Sequence, residues 1–247
     1  MRLRSDTTSD LVLVCDHASP ALPPEYGTLG LDRTMFHRHI AFDIGAADVT
    51  ASLSEKLNVP AVLSTFSRLL IDPNRALDDQ TLIVKSSDGV FIPGNQSLDA
   101  AEINSRVQKF HCRFHEAVDD QFTAASAAGI IPAFVGIHSF TPIMNGFERP
   151  WEVAVLWNRD PRLAQALLRR LQAENDLCVG DNEPYSGRLA GYSMDWHGGR
   201  NGLPNAVIEI RQDLIDTRHG VEHWAGRLAR GLAEVSADRT LFEKRYF

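Results

Sequence analysis

The sequence predicts an α/β fold, a three-layer arrangement in which a largely parallel sheet is covered on both faces by helices. Three observations predict it. Short apolar runs rich in β-branched residues alternate with segments of helical periodicity along the chain. The clearest runs, such as Leu11-Val12-Leu13-Val14-Cys15, are apolar at every position, as expected of strands buried on both faces. Two of the runs lead directly into a histidine, at the carboxyl ends of strands where open α/β sheets bind ligands.

Each element has its own signal. Leu11 to Cys15 reads as the first strand. Phe36 to Leu57 reads as largely helical, broken near Gly45. Ala61 to Thr65 is the next strand, and Leu69-Leu70-Ile71 a short third. Asp99-Ala100-Ala101-Glu102 is a capping-box pattern. It opens a helix with Ile103, Val107, Phe110, Phe114, Val118 and Phe122 on one stripe. Ile131 to Ile137 and Val153 to Trp157 are strands. Asp160-Pro161 is a cap with proline at the first helical position, leading into Leu163, Leu167, Leu168 and Leu171. Ala206 to Ile210 is the last strand, and Asp216 begins a final helix carrying Val221, Trp224, Leu228 and Leu232. The irregular stretches Pro73 to Leu98 and Gly180 to Leu203 are long enough to suggest functional loops.

The chain has 247 residues, 44% hydrophobic and 23% charged, as in an ordinary soluble globular protein. No repeat, low-complexity segment or Pro/Gly-rich linker divides it, so a single domain over residues 1–247 is expected. A net charge of -7 argues against nucleic-acid and anionic-membrane partners. The three cysteines, Cys15, Cys112 and Cys178, are widely spaced and form no CxxC pair, which fits neither a disulfide framework nor a thiolate zinc site. The first residues lack a signal-peptide apolar core, and no run approaches the ~20 residues of a membrane span. A cytoplasmic protein is expected.

The chemistry-bearing residues are few. His17 follows the first strand as Asp16-His17-Ala18-Ser19, and His138 follows another as His138-Ser139-Phe140. Either alone reads as a structural hydrogen-bonder. Together at one sheet edge they suggest a metal site, since neutral imidazole is the commonest metal ligand. A catalytic zinc takes three protein ligands and leaves a fourth position open. Asp43 and Glu25 are the local carboxylate candidates, and Asp16 could orient His17 from behind. Glu209 is a carboxylate inside an apolar strand, placed to act as general base beside a metal-bound water or to face solvent. Arg68, Asn74 and Arg75 flank a short apolar run, and a guanidinium there could grip a carboxylate with two hydrogen bonds. Tyr185, Tyr192 and His197 lie in a polar, aromatic loop that could rim the crevice. His37, His39, His111 and His115 sit in helical patterns and receive no role. His219 and His223 lack the glutamate of HExxH. There is no G-x-S-x-G elbow, G-x-G-x-x-G fingerprint or Walker loop, which disfavours a serine hydrolase and a nucleotide cofactor.

As an ordered set these stretches resemble the N-formylglutamate amidohydrolase family. The resemblance rests on Cys15-Asp16-His17-Ala18-Ser19, Arg68 through Arg75, Ile137-His138-Ser139-Phe140-Thr141-Pro142, Asn182-Glu183-Pro184-Tyr185-Ser186-Gly187 and Ile208-Glu209-Ile210-Arg211-Gln212-Asp213. That family is similar in turn to zinc carboxypeptidases and aspartoacylases. The resemblance implies a zinc-carboxypeptidase-like fold with a central mixed, mostly parallel sheet. It implies a zinc-dependent amidohydrolase acting on an N-acyl amino acid, such as N-formyl-L-glutamate, with a place in histidine degradation. The roles it carries over are His17 and His138 as metal ligands, Arg68 as oxyanion stabiliser, Asn74 and Arg75 as holders of a substrate carboxylate, and Glu209 as base. Two positions depart from the pattern. Carboxypeptidases place a glutamate three residues after the first histidine, and here that residue is Pro20. Asp43 is therefore the preferred third ligand, with Glu25 the alternative. Many deformylases read His-Ser-Gly where this chain has His17-Ala18-Ser19. A peptidase or another deacylase on the same scaffold, and a non-catalytic binding protein, are the rival readings.

Overall fold

Seven strands build the central sheet of the computed structural model, which describes residues 1–190 and 192–247. They are β1 (Arg2–Leu3), β2 (Leu11–Cys15), β3 (Ala61–Leu63), β6 (Ala133–Phe140), β9 (Val153–Leu156), β10 (Val179–Asp181) and β11 (Asn205–Arg211). Two small hairpins, β4 (Ser86–Ser87) with β5 (Val90–Phe91) and β7 (Ile143–Met144) with β8 (Phe147–Glu148), stand apart from it. The sheet order is β1-β3-β2-β6-β11-β9-β10. The middle four, β3-β2-β6-β11, are parallel. β1 is antiparallel to β3, and β9 is antiparallel to β11 with β10 parallel to β9, so the sheet is mixed.

Alternation along each strand sorts side chains onto two faces. Leu13, Val135 and Ile208 point to the face covered by α1 (Ala46–Leu57), α4 (Arg162–Gln172) and α6 (Arg218–Ser236). Their partners include Leu53, Leu167 and Leu228, all fully buried. Val12, Val14, Phe134 and Val207 point the other way. That face is covered by Phe114, Val118 and Phe122 of α3 (Arg113–Ala127) and by chain without regular structure around Leu69-Leu70-Ile71. His138 and Glu209 have the parity of Phe134 and Val207, and they are direct register partners on β6 and β11.

The departures from expectation have local causes. Leu69-Leu70-Ile71 is buried but is a turn, not a strand. Its backbone groups are satisfied by a turn and by distant side chains instead of a neighbouring strand: Leu70 N donates to Ser67 O, Asn95 Nδ2 to Leu69 O, and Arg106 Nη1 to Leu70 O. β6 runs on through Phe140, so His138 lies within the strand rather than after it. The helical break near Gly45 is the start of α1 itself, and residues Arg33–His37 before it are a 3-10 turn. Gly45 is required there: its φ is +78°, and a Cβ would collide with the Ile215 carbonyl oxygen. Asp99 caps α2 (Ala100–Arg106) through Glu102 N at 2.8 Å, but the Glu102 side chain pairs with Arg106 instead of completing the box. A π-helical stretch, Val107–Cys112, then joins α2 to α3. It shifts the angular phase of the stripe, leaving Ile103 39% exposed and burying Arg106. α4 starts at Arg162 with Pro161 as its N-cap residue, one position later than expected, although Asp160 Oδ1 accepts from Arg162 N at 3.0 Å; α6 starts two residues after Asp216, capped by Thr217. Between Gly180 and Leu203, expected to be irregular, lie the end of β10, α5 (Gly187–Ala190), a π-helix Met194–Gly198 and a 3-10 turn Gly199–Asn201. Cys15, Cys112 and Cys178 are all free. Among the described residues no helix is long and apolar enough to cross a membrane.

Candidate active site

The carboxyl ends of β2, β6 and β11 open into a cavity of about 210 Å³. His17, Asp43, Arg68, Asn74, Arg75, His138, Tyr185 and Glu209 all line it. β2 delivers Asp16 and His17, and β6 and β11 deliver His138 and Glu209 side by side. Asp43 comes from the loop before α1, which is stitched on both sides. Asp43 N donates to His17 O, Arg68 N and Ser67 Oγ donate to Ala41 O, and Ser139 Oγ donates to Ile44 O.

His17 and His138 turn their Nδ1 atoms to the same oxygen, Asp43 Oδ2, at 3.4 and 2.8 Å. The rings meet edge to face, with centroids 5.1 Å apart. One ligand atom from each of the three residues lies within 4.8 Å of the others. The outward Nε2 atoms are backed by separate buried carboxylates: Asp72 at 2.8 Å behind His17 and Asp16 at 3.1 Å behind His138. A metal-ligating histidine is typically supported in this way, its second nitrogen donating to a carboxylate that fixes the tautomer and raises its basicity. Glu25 is exposed on the 3-10 turn Pro24–Tyr26, outside this group, so the carboxylate beside the two histidines is Asp43.

The electrostatics fit a cation. Four buried carboxyl groups, Asp16, Asp43, Asp72 and Glu209, surround one guanidinium and two imidazoles. Burial alone would raise the Asp43 pKa, but the His17 charge and hydrogen bonds from both histidines hold it far below the usual range. The same opposition operates at Asp72, where Arg68 and His17 overcome burial. Burial lowers the His138 pKa, yet its hydrogen bonds to Asp16 and Asp43 carry it well above the usual imidazole value. The carboxylates thus draw positive charge into the place where a divalent ion would supply it. Glu209 behaves differently. Burial pushes it up to about 7, and its Oε2 is buried without a hydrogen-bond partner. An orphaned carboxylate oxygen beside an open cavity calls for a ligand or a proton.

Arg68 donates to a single oxygen, Asp72 Oδ2, from both Nη2 at 2.7 Å and Nε at 3.2 Å, and its Nη1 lies 3.6 Å from Asp43 Oδ1. Asn74 N donates to Asp72 Oδ1, and Asn74 Oδ1 accepts from Ser193 N at 3.1 Å. Arg75 Nε donates to Thr81 Oγ1 and Nη1 to Asn74 O. The Tyr185 hydroxyl accepts from the buried Arg149 at 3.0 Å, and that guanidinium also lies over the Tyr185 ring.

Two loop residues sit elsewhere. Tyr192 stacks on Trp196 and packs against His111 and His115, and His197 is buried between His115 and Asp119; neither lines the cavity. Asp16 supports His138 rather than the adjacent His17. Asp72 stands before Pro73-Asn74-Arg75 in the sequence, but nothing local there links it to His17, 55 residues away. His39, set aside as helical, also lines the cavity, as do Thr141 and Met194.

A family model for N-formylglutamate amidohydrolase matches residues 9–216. The chain belongs to the N-formylglutamate amidohydrolase family. That match spans every residue described in the cavity. Among solved structures, the gene product Atu2144 from Agrobacterium tumefaciens is 35% identical, with a TM-score of 0.93 over 97% of this chain and 95% of that one. The N-formylglutamate amidohydrolase from Ralstonia eutropha JMP134 is 19% identical, with a TM-score of 0.66 over 94% of this chain and 95% of that one, a likeness of fold. No curated protein matches the chain. Membership of the N-formylglutamate amidohydrolase family agrees with the α/β architecture and indicates amide hydrolysis as the class of reaction.

Proposed function

We propose that this protein hydrolyses the amide bond of an N-formyl or other N-acyl amino acid, N-formyl-L-glutamate first among them, using a divalent ion held by His17, Asp43 and His138. The observation that carries this reading is the convergence of both histidine Nδ1 atoms on Asp43 Oδ2, each imidazole backed by its own buried carboxylate. Tetrahedral zinc with bonds of about 2.0–2.2 Å separates its ligands by roughly 3.3–3.5 Å, and this donor set of two imidazoles and one carboxylate suits it. When bound, zinc would polarise the scissile carbonyl and acidify the attacking water.

The chain's own groups then have distinct tasks. Glu209 Oε2 takes a proton from the attacking water and returns it to the leaving amine nitrogen. A carboxylate with a raised pKa is suited to both halves of that transfer. The Arg68 guanidinium, fixed by Asp72, stabilises negative charge growing on the carbonyl oxygen; one such donor is typically worth about 3 kcal/mol of barrier. Asn74 and Arg75 hold the substrate carboxylate. The Tyr185 hydroxyl accepts from Arg149 and so offers its own proton to substrate. Turnover of N-formyl-L-glutamate by the zinc-loaded protein, lost on chelation and restored by zinc, is the test. A protein that binds no stoichiometric zinc and remains inert after zinc addition would overturn the proposal.

A second reading, a deacylase for larger N-acyl or peptide-linked substrates, is favoured by one observation. A second space of about 270 Å³ shares His39, Arg68, Arg75 and Tyr185 with the cavity and is further walled by Thr81, Asp88 and Met144. Comparing turnover of N-formyl-, N-acetyl- and peptide-linked glutamate separates the two.

A further inference from the structure

Behind the Asn74-Arg75 loop lies a buried histidine network that the reaction above does not use. His115 Nε2 is 2.9 Å from Pro73 O, and His111 Nε2 is 2.9 Å from Arg75 O. The π-helical stretch Val107–Cys112 and the start of α3 bring these rings to 4.4 Å between centroids. The two carbonyls flanking Asn74 are therefore both held by histidines. His115 Nδ1 is 2.8 Å from His197 Nε2, and His197 Nδ1 is 2.8 Å from Asp119 Oδ1. The His115 and His197 ring planes are within 23° of parallel and their centroids are 5.0 Å apart, so the 2.8 Å N···N contact runs end to end between the rings, as an in-plane N–H···N bond does.

Counting hydrogens fixes the charge of this chain. Pro73 O can only accept, so His115 carries a proton on Nε2. The carboxylate of Asp119 also only accepts, so His197 carries a proton on Nδ1. A third proton must lie between His115 Nδ1 and His197 Nε2, or two lone pairs would face each other there. Two neutral imidazoles hold only two ring protons, so the pair carries one net positive charge. Turning the His197 ring over would put carbon atoms at both contacts, so its orientation is fixed as well.

We propose that the His115–His197 pair holds this extra proton on the His197 side, against Asp119, and that the charged pair is a positioning device for the Asn74-Arg75 substrate clamp. Placement on His197 follows from geometry: Asp119 contacts that ring and its side chain is 56% exposed, while His115 is flanked by two other histidines. Burial and the neighbouring charges of His111 and His197 also push the His115 pKa down to about 3, which keeps that ring neutral. With His197 donating, His115 is locked as the tautomer that donates to Pro73. Without that donor, His115 can move its proton to Nδ1 and release the Pro73 carbonyl. The positioning role rests on the reading that Asn74 and Arg75 hold a substrate carboxylate.

Nitrogen-15 NMR of histidine-labelled, zinc-loaded protein at pH 7 tests the charge. The expected spectrum has both His197 nitrogens protonated and His115 neutral with its proton on Nε2; two neutral rings would overturn the assignment. Kinetics test the role. His197→Leu should raise KM for N-formyl-L-glutamate about tenfold, with kcat within about threefold, and should leave KM for the corresponding carboxamide unchanged. His197→Gln, whose amide can still donate to His115 Nδ1, should restore KM to within about threefold of the parent. Loss of kcat on both substrates, or no rescue by glutamine, would make the role merely structural and sink the proposal. If Arg75→Ala leaves KM unchanged while the NMR signature is present, the clamp reading fails and the positioning role falls with it, but the proton assignment survives.

Discussion

The two faces of the sheet are built on different terms. One is covered by α1, α4 and α6, and its core is mostly Val, Leu, Ile and Ala, with Cys15, Trp224 and Phe242. The other is covered by α3 and by long stretches without regular structure, and the apolar lining of the cavity, Leu156, Met194 and Val207, belongs to its core. Helices satisfy most of their own backbone, so the first face needs few polar side chains inside, such as Thr50 and Ser54 of α1, which hold the Ala46 and Val59 carbonyls. Loops do not, and the second face draws on Asn95, Arg106, His111 and His115 to hold carbonyls of residues 69–75. The same polar groups that make the loops foldable also fix Asn74 and Arg75 in place. Stability and site geometry are separable on one face and joined on the other.

Mutations can break that contrast. The largest expected effect is at the site. Glu209→Gln should lower kcat by about 10²–10⁴-fold, the usual worth of a general base, while leaving zinc content unchanged. Near-normal turnover would remove Glu209 from the proton-transfer role. Next comes the helical face. Leu228→Ala in α6 should cost about 2–5 kcal/mol in denaturant unfolding, with kcat/KM of the folded fraction unaltered. A parallel loss of catalytic efficiency would mean that the faces are not independent.

Arg75→Ala should raise KM for carboxylate-bearing substrates about ten- to a hundredfold, the worth of a charged hydrogen bond of about 1.5–3 kcal/mol. An unchanged KM would take Arg75 out of binding. The smallest effect, near neutral pH, concerns stability. Burial and the His111 charge hold His115 down to about 3, against 6.5 for an ordinary histidine. Between those values the unfolded chain binds a proton that the folded chain refuses. The contribution is therefore full above about pH 6.5 and is lost as pH falls towards 3. His111, lowered mainly by burial, acts in the same direction. Unfolding curves from pH 7 to 5 should fall less steeply for His115→Phe than for the parent; equal slopes would show that His115 does not carry the effect.

The helical face is the part most legible in the sequence. Leu163, Leu167, Leu168 and Leu171, and Val221, Trp224, Leu228 and Leu232, announce their helices by spacing alone, and all are buried. The strands that lead to His17, His138 and Glu209 are legible because their runs Leu11–Cys15, Ala133 to Ile137 and Ala206 to Ile208 are apolar and buried. What stays hidden is pairing across distance. Nothing near Asp72 names His17 as its partner, and nothing near Asp16 prefers His138 to its neighbour. Tyr192 and His197 read as a crevice rim because aromatic and polar residues mark both exposed loops and buried networks, and composition does not distinguish them. Leu69-Leu70-Ile71 looks like a strand because burial, not pairing, decides its composition.

The π-helical stretch Val107–Cys112 gives one rod two angular origins. On one side of it α2 turns Arg106 inward; on the other, α3 turns Phe114, Val118 and Phe122 towards the sheet. A regular α-helix advances about 100° per residue, so removing one residue here would force the two halves into a single phase. The rod would remain helical, but His111 and His115 could not both face the Pro73–Arg75 loop while α3 kept its place in the core. The local irregularity is thus an adapter between a core-facing helix and a loop-holding one. A one-residue deletion in Val107–Cys112 should spare helical circular dichroism yet raise KM, whereas a loss of helix content would mean that the stretch serves folding alone.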